Sequence, residues 1–241
     1  MRPTVLALAA SAIFALSRGV SAQSRTYPLE SAEGLRLHDV TAEPATLAGQ
    51  KGLRLRLSDE GTRRLEGAGA LEVEPLAWIE GVVFSNGVIE AEIAGSPAPG
   101  APEGARGFVG LAFRLQEDAK TYDAFYLRPT NGRVEDQERR NHAAQYISHP
   151  EWPWFRLRKE TPSRYEAYVD LVTGAWTKIK IEVRGDHARL YVHGSEQPTL
   201  IVNDVKSGPS AKGAVALWLG PGTIAHFRNL TVTPDSPASA K

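Results

Sequence analysis

Residues 176–193 read WTKIKIEVRGDHARLYVH, and their alternation decides the class of fold. Thr177, Ile179, Ile181 and Val183 alternate with Lys178, Lys180 and Glu182, the period-2 pattern of a strand with one buried and one wetter face. Gly185-Asp186 then turns the chain into residues 187–193, where Ala188, Leu190 and Val192 take the inward positions. This is a hairpin signal, though Gly-Asp is less diagnostic than Asn-Gly. The same alternation recurs outward from this point. Leu53, Leu55 and Leu57 stand against Arg54 and Arg56; Ile89, Ala91 and Ile93 against Glu90 and Glu92. Val109, Leu111, Phe113 and Leu115 stand against Phe108, Gly110, Ala112 and Arg114. Residues 164–171 read as a further strand, with Tyr165, Ala167, Val169 and Leu171 opposite Arg164, Glu166, Tyr168 and Asp170. Residues 200–205, 214–219 and 224–233 complete the run. Short strands joined by turns, with 22 Gly and 16 Pro and no crossover helix of useful length, predict an all-β, two-sheet antiparallel sandwich.

The ends carry a different message. Arg2, the apolar run 5–16 and the small residues Val20-Ser21-Ala22 fit the three parts of a secretory signal. A bilayer span needs about 20 apolar residues, and this run is shorter. The expectation is therefore cleavage near Ala22 and a secreted or periplasmic protein with no membrane span in its mature part. One domain is expected over 23–233, followed by a disordered tail, PDSPASAK, over 234–241. The chain has no cysteine, which excludes disulfides, thiolate metal sites and a thiol nucleophile. Without residues 1–22 it carries 26 Lys+Arg against 28 Asp+Glu, a formal charge of −2, and so offers no electrostatic footprint for nucleic acid.

Residues 122–166 hold the densest chemistry. Trp152 and Trp154 sit in HPEWPW, where the prolines favour an extended backbone that would hold both indoles on one side. Such a pair can stack on the apolar face of a sugar ring, or plug an open end of the sandwich. Glu135, Asp136 and Glu138 lie beside Arg133, Arg139 and Arg140, and a self-satisfied ion-pair network is expected there. The wetter strand positions Arg114, Tyr126, Arg128, Glu166, Tyr168 and Asp170 would meet on one polar surface, with Gly110 and Ala112 leaving room. The alternative is a solvated outer face. Carboxylates that cleave a glycosidic bond stand roughly 5–9.5 Å apart, whereas Glu166 and Asp170 on one strand would be about 13 Å apart. Asp123 and Asp136 are then the partners left for either of them. His142 and His149 lack zinc-site spacing, and there is no Gly-x-Ser-x-Gly elbow. Residues 96–106, SPAPGAPEGAR, read as a surface loop.

FSNGVIEAEIAG, GFVGLAFRL, YDAFYLRPTNGRVEDQERRNHAAQYISHPEWPWFRLR, YEAYVDL, WTKIKIEV, ARLYVHG and GTIAHFRNL together resemble bacterial exported proteins of the concanavalin A-like lectin/glucanase superfamily, laminin-G-like and 3-keto-disaccharide-hydrolase-like jelly rolls above all. The resemblance implies a jelly roll whose concave sheet receives a glycan. The residues expected to contact it are Arg114, Tyr126, Arg128, Asp136, His142, Trp152 and Trp154. Saccharide hydrolysis with Glu166 and Asp136 as acid and base is the alternative, and a structural or protein-interaction module a third. The Glu-x-Asp-x-x-Glu strand of laminarinase-type glucanases has no counterpart here. No cofactor is expected; laminin-G-like domains would admit calcium, yet no Asp/Asn loop stands out as its cage.

Overall fold

A computed structural model describes residues 23–69 and 72–235, so the expected export signal and residues 236–241 lie outside the described residues. Among those described, fifteen strands, numbered in chain order, form two antiparallel sheets. The first sheet runs β13 (Leu200–Val202), β12 (His187–Val192), β11 (Thr177–Arg184), β6 (Gly87–Pro97), β15 (Thr223–Pro234), β4 (Gln50–Leu57) and β3 (Val40–Leu47), and β1 (Arg25–Tyr27) adds to β15. The second runs β10 (Glu166–Ala167), β9 (Ala144–His149), β8 (Tyr122–Leu127), β7 (Val109–Leu115), β14 (Ala214–Leu219), β5 (Leu76–Ile79) and β2 (Leu35–His38). This is the two-sheet sandwich that the alternation predicts.

The inward positions meet as the pattern requires. Ile181 pairs with Ile89 and Leu190, and Phe227 pairs with Leu53 and Ile93. From the second sheet, Leu111, Phe113, Phe125, Tyr146 and Leu217 are fully buried, and the Phe113 and Phe125 rings stack with centroids 6.3 Å apart. Each such aromatic contributes about 1.5–3 kcal/mol by leaving water. The hairpin over 185–186 forms with Arg184 opposite His187, and Gly185 takes the positive φ of 60° that the turn needs.

Two expectations change. Residues 164–171 do not form a long strand: only Glu166 and Ala167 pair with β9. Beyond them, Tyr168 and Asp170 are held from outside by Arg140 and Arg133. The helix α1 (Asp59–Ala68) follows β4, started by Ser58, whose hydroxyl accepts the Gly61 N–H at 3.0 Å. The ordered pairing runs past 233, since Pro234 pairs with Gly87 and the Asp235 N–H donates to the Asn86 carbonyl at 2.9 Å. No described helix is long and apolar enough to cross a membrane.

Candidate functional site

The outward face of the second sheet is where the side chains depart from a solvated surface. Phe125 and Leu127 of β8 point into the sandwich, so Tyr122, Ala124 and Tyr126 point out. Tyr126 stands opposite Gly110 on β7, and Gly110 opposite Trp218 on β14. With only hydrogen at Gly110, the two rings close over it, their centroids 4.7 Å apart and their planes 28° from parallel. A Cβ at Gly110 would collide with the Phe125 carbonyl oxygen and the Tyr126 backbone. Phe108 meets Tyr126 edge-on at 6.0 Å and continues the aromatic wall.

These rings line a recess of about 310 Å³, closed by Pro102, Ala105 and Pro221 on one side and by Trp154 on another. The loop over 98–108 is thus one wall of the site, a correction to its reading as a plain surface loop. At one end of the recess lies a buried polar chain. The Trp218 indole N–H donates to the Tyr122 hydroxyl at 3.0 Å, and that hydroxyl donates to Glu74 Oε2 at 2.6 Å. His149 Nδ1 lies 3.0 Å from Glu74 Oε1. A carboxylate only accepts, so Nδ1 is the donor of this pair. The Tyr122 and His149 rings stack at 5.1 Å, 10° from parallel. Burial, and then the adjacent Glu74 charge, push the Tyr122 phenol well above its ordinary range, so it remains a donor.

Phe108, Trp154 and Gly104 also border a second recess of about 260 Å³, lined by Arg106, Arg128, Asn131, Arg139, His142 and Arg158. Arg128 is buried and donates to the Tyr126 hydroxyl at 2.9 Å, Gln145 Oε1 at 3.0 Å and the His142 carbonyl at 2.8 Å. Glu166 is gripped by Arg158, whose Nε donates to Oε2 at 3.0 Å and whose Nη2 meets Oε1, and by Arg128 at 3.4 Å. His142 Nδ1 lies 2.9 Å from Glu166 Oε2 but out of hydrogen-bonding alignment, and it counts among the buried polar atoms without a partner. Burial lowers the His142 pKa first; Glu166 opposes this, while Arg158 and Arg128 add to it. The imidazole is therefore neutral near neutral pH.

Of the residues expected to meet a glycan, Tyr126, Arg128, His142 and Trp154 border these recesses. Arg114 does not. Its φ of 58° turns the side chain between the sheets, where it is 1% exposed and donates to the carbonyls of Ser85, Gly185 and Gly208. Asp136 is the exposed cap of α2 (Gln137–Asn141), accepting the Arg139 N–H at 3.1 Å. Trp152 parts from Trp154. Pro153 caps α3 (Trp154–Glu160), which carries Trp154 to the groove, while the half-buried Trp152 packs on the core under Arg156 and Lys206.

The expected ion-pair network over 133–140 is also replaced. Arg133 pairs with Asp170 at 2.7 Å, Arg140 donates to the Tyr168 hydroxyl at 2.8 Å, and Glu135, Asp136 and Glu138 pair with no described cation. Glu74, Tyr122, His149, Phe108 and Trp218 were not on the expected list of contacts. The one signal available for them is aromatic or small residues at outward strand positions where a wet face would carry Lys or Glu.

The two carboxylates nearest the recesses are held by different partners. Glu74 contacts Tyr122 and His149, while Glu166 pairs across from Gln145, four residues away along β9. The strand positions they meet, His149 and Gln145, are about 13 Å apart, and each carboxylate is engaged by its own partners, Tyr122 and His149 for Glu74 and Arg158 and Arg128 for Glu166. Asp123, fully buried on the inward side, donates no third carboxylate to the groove. Among the described residues no group of three or more His, Asp or Glu is placed to hold a metal ion.

The two stacked antiparallel sheets have the fold of a concanavalin A-like jelly roll. The carbohydrate-binding module CBM66 from Bacillus subtilis superposes with a TM-score of 0.51 at 13% identity, over 82% of this chain and 98% of that one. A proposed glycosyl hydrolase from Parabacteroides distasonis gives 0.52 at 10% identity, over 87% and 99%. The transglycosylase Crh5 gives 0.51 at 11%, over 91% and 88%. At these identities the likeness defines the fold. No protein-family model and no curated protein matches the chain.

Proposed function

We propose that this chain is an exported bacterial carbohydrate-binding protein that receives a glycan in the groove across its second sheet. The observation that carries the reading is the pairing of two joined recesses. One is walled by Phe108, Tyr126, Trp154 and Trp218, the other by fixed donors and acceptors. Rings supply apolar area at little entropic cost, and the polar half supplies partners for hydroxyls. The same fold in CBM66, a carbohydrate-binding module by name, supports the class of ligand. Export rests on the amino-terminal pattern, and a mature protein beginning at Gln23 in the periplasmic or extracellular fraction would bear it out.

Trp154 is the residue to test, being 42% exposed and bordering both recesses. Glycan-array screening followed by calorimetry should find a ligand whose affinity falls about tenfold in Trp154→Ala, the worth of one aromatic contact. Absence of binding to every glycan on the array would overturn the reading.

A further inference from the structure

The polar recess holds more positive charge than its fold requires. Arg106, Arg128, Arg139 and Arg158 converge there, and the carboxylate in their midst is Glu166. Glu166 is already taken by Arg158 and Arg128. Neither Arg106 nor Arg139 has a carboxylate within ion-pair distance among the described residues. Arg106 donates instead to the backbone carbonyls of Glu103 and Ala105, and Arg139 to Asn131 Oδ1 at a long 3.4 Å. The Arg139 Nε is buried without a partner. Burial, followed by the like charge of Arg139, lowers the Arg106 pKa; Glu103 opposes this and Arg128 adds to it. Of the nearby acids, Asp136 caps its helix, Asp170 is paired with Arg133, and Glu103 and Glu138 form no ion pair with either arginine. Like charges held together with an unsatisfied donor form a site that a bound anion would relax.

We propose that the glycan is an acidic one, a uronate-containing saccharide whose carboxylate sits between Arg106 and Arg139 while its ring packs on Phe108 and Trp154. This rests on the carbohydrate-binding reading and narrows it. Phe108 and Trp154 border both recesses, so one sugar unit can touch the aromatic wall and the arginines together. Guanidinium groups are matched to carboxylates by their planar fork of donors. His142 at the same recess is expected to gain basicity when the anion arrives.

The test uses the whole mature chain and a panel of oligosaccharides. It comprises oligogalacturonate, oligoguluronate and oligoglucuronate, the methyl ester of each, a sulfated glycan free of uronate (carrageenan oligosaccharides) and neutral cello- and xylo-oligosaccharides. The expected result is binding of at least one uronate oligomer, weakened about tenfold or more by methyl esterification. The advantage of acid over ester should shrink as salt is raised from 0.05 to about 0.5 M, since screening lengthens with dilution. Arg139→Gln should lower affinity for the acid about tenfold and for the ester by much less, whereas Trp154→Ala should weaken both alike. Circular dichroism of both variants confirms that the fold is kept. Equal affinity for acid and ester, or binding of neutral glycans alone, would overturn the acidic assignment and leave carbohydrate binding intact. Binding of the carrageenan oligosaccharides without any uronate oligomer would overturn the carboxylate. Binding of no glycan at all would remove the parent reading and this one with it.

Discussion

The two sheets present outer faces of opposite character. On the first, charges of alternating sign stand side by side. Lys180 lies across from Glu90, and Glu92 lies across from both Lys178 and Arg228. Arg54 lies across from Glu43 and bonds it at 2.7 Å. On the second, the equivalent positions are Tyr122, Tyr126, Gly110, Ala112 and Trp218, and the strands β7 and β8 are buried on both sides. The backbone alternation is the same in each. What differs is whether water or a wall of loops covers the outward row. A face meant for solvent satisfies itself residue by residue, while the other keeps rings and arginines that the fold alone does not use up.

The sharpest way to break this contrast is Gly110→Val. A side chain there must displace the Phe125–Tyr126 backbone and part the Tyr126–Trp218 stack. A loss of about 3 kcal/mol in urea unfolding is expected, together with glycan binding. The same change of size at Lys180 should do neither. Next in size is Glu74→Gln, which leaves the buried Tyr122 hydroxyl and His149 Nδ1 competing for one carbonyl oxygen. A loss of about 2 kcal/mol is expected by the same measurement.

Two histidines, one on each face, sharpen the contrast by pH. His226 on β15 is lowered by burial and then by the Arg54 charge; His142 is lowered by burial first, against the pull of Glu166. Each has a folded pKa below its ordinary 6.5, so the stability it contributes is present above that value and lost as pH falls through the folded one. NMR titration should show both as neutral at pH 6.5, and a bound uronate should raise His142 while leaving His226 in place. The smallest effect belongs to Lys180→Gln. Its bond to Glu182 is at the surface, and the change in stability should stay within about 0.5 kcal/mol.

Much of the fold was legible because inward positions of period 2 are set by local sequence. The strands over 51–58, 88–94, 107–115, 176–184 and 214–219 formed within a few residues of their expected bounds. Where local reading failed, a single backbone or neighbour effect was responsible. Arg114 sat in register as an outward residue until its positive φ turned it inward. Ser58 followed by two acidic residues was a helix start hidden at the end of a strand. Half of the site could be reached from sequence, since Tyr126, Arg128, His142 and Trp154 belong to one rich stretch. The other half could not, because Trp218 meets Tyr122 from 96 residues away and Glu74 meets His149 from 75. Sheet order brings those pairs together, and no local pattern encodes it.

The wall formed by the loop over 98–108 has a consequence for how the groove can vary. The loop joins β6 of one sheet to β7 of the other, and backbone bonds to neighbouring segments fix its ends, with the Phe108 carbonyl accepting the Gly220 N–H at 3.0 Å. The Ala98 N–H donates to Gly222 at 2.8 Å, and the Thr130 N–H donates to Arg106 at 3.3 Å. Between those points its length is nearly free, since doubling a loop adds only about 0.6 kcal/mol of closure entropy. It also delivers Arg106 to the polar recess and Pro102 and Ala105 to the aromatic one. Width and charge of the groove can therefore be re-specified by insertions in one segment, with neither sheet disturbed. The shape of this wall can change while the two sheets keep their packing.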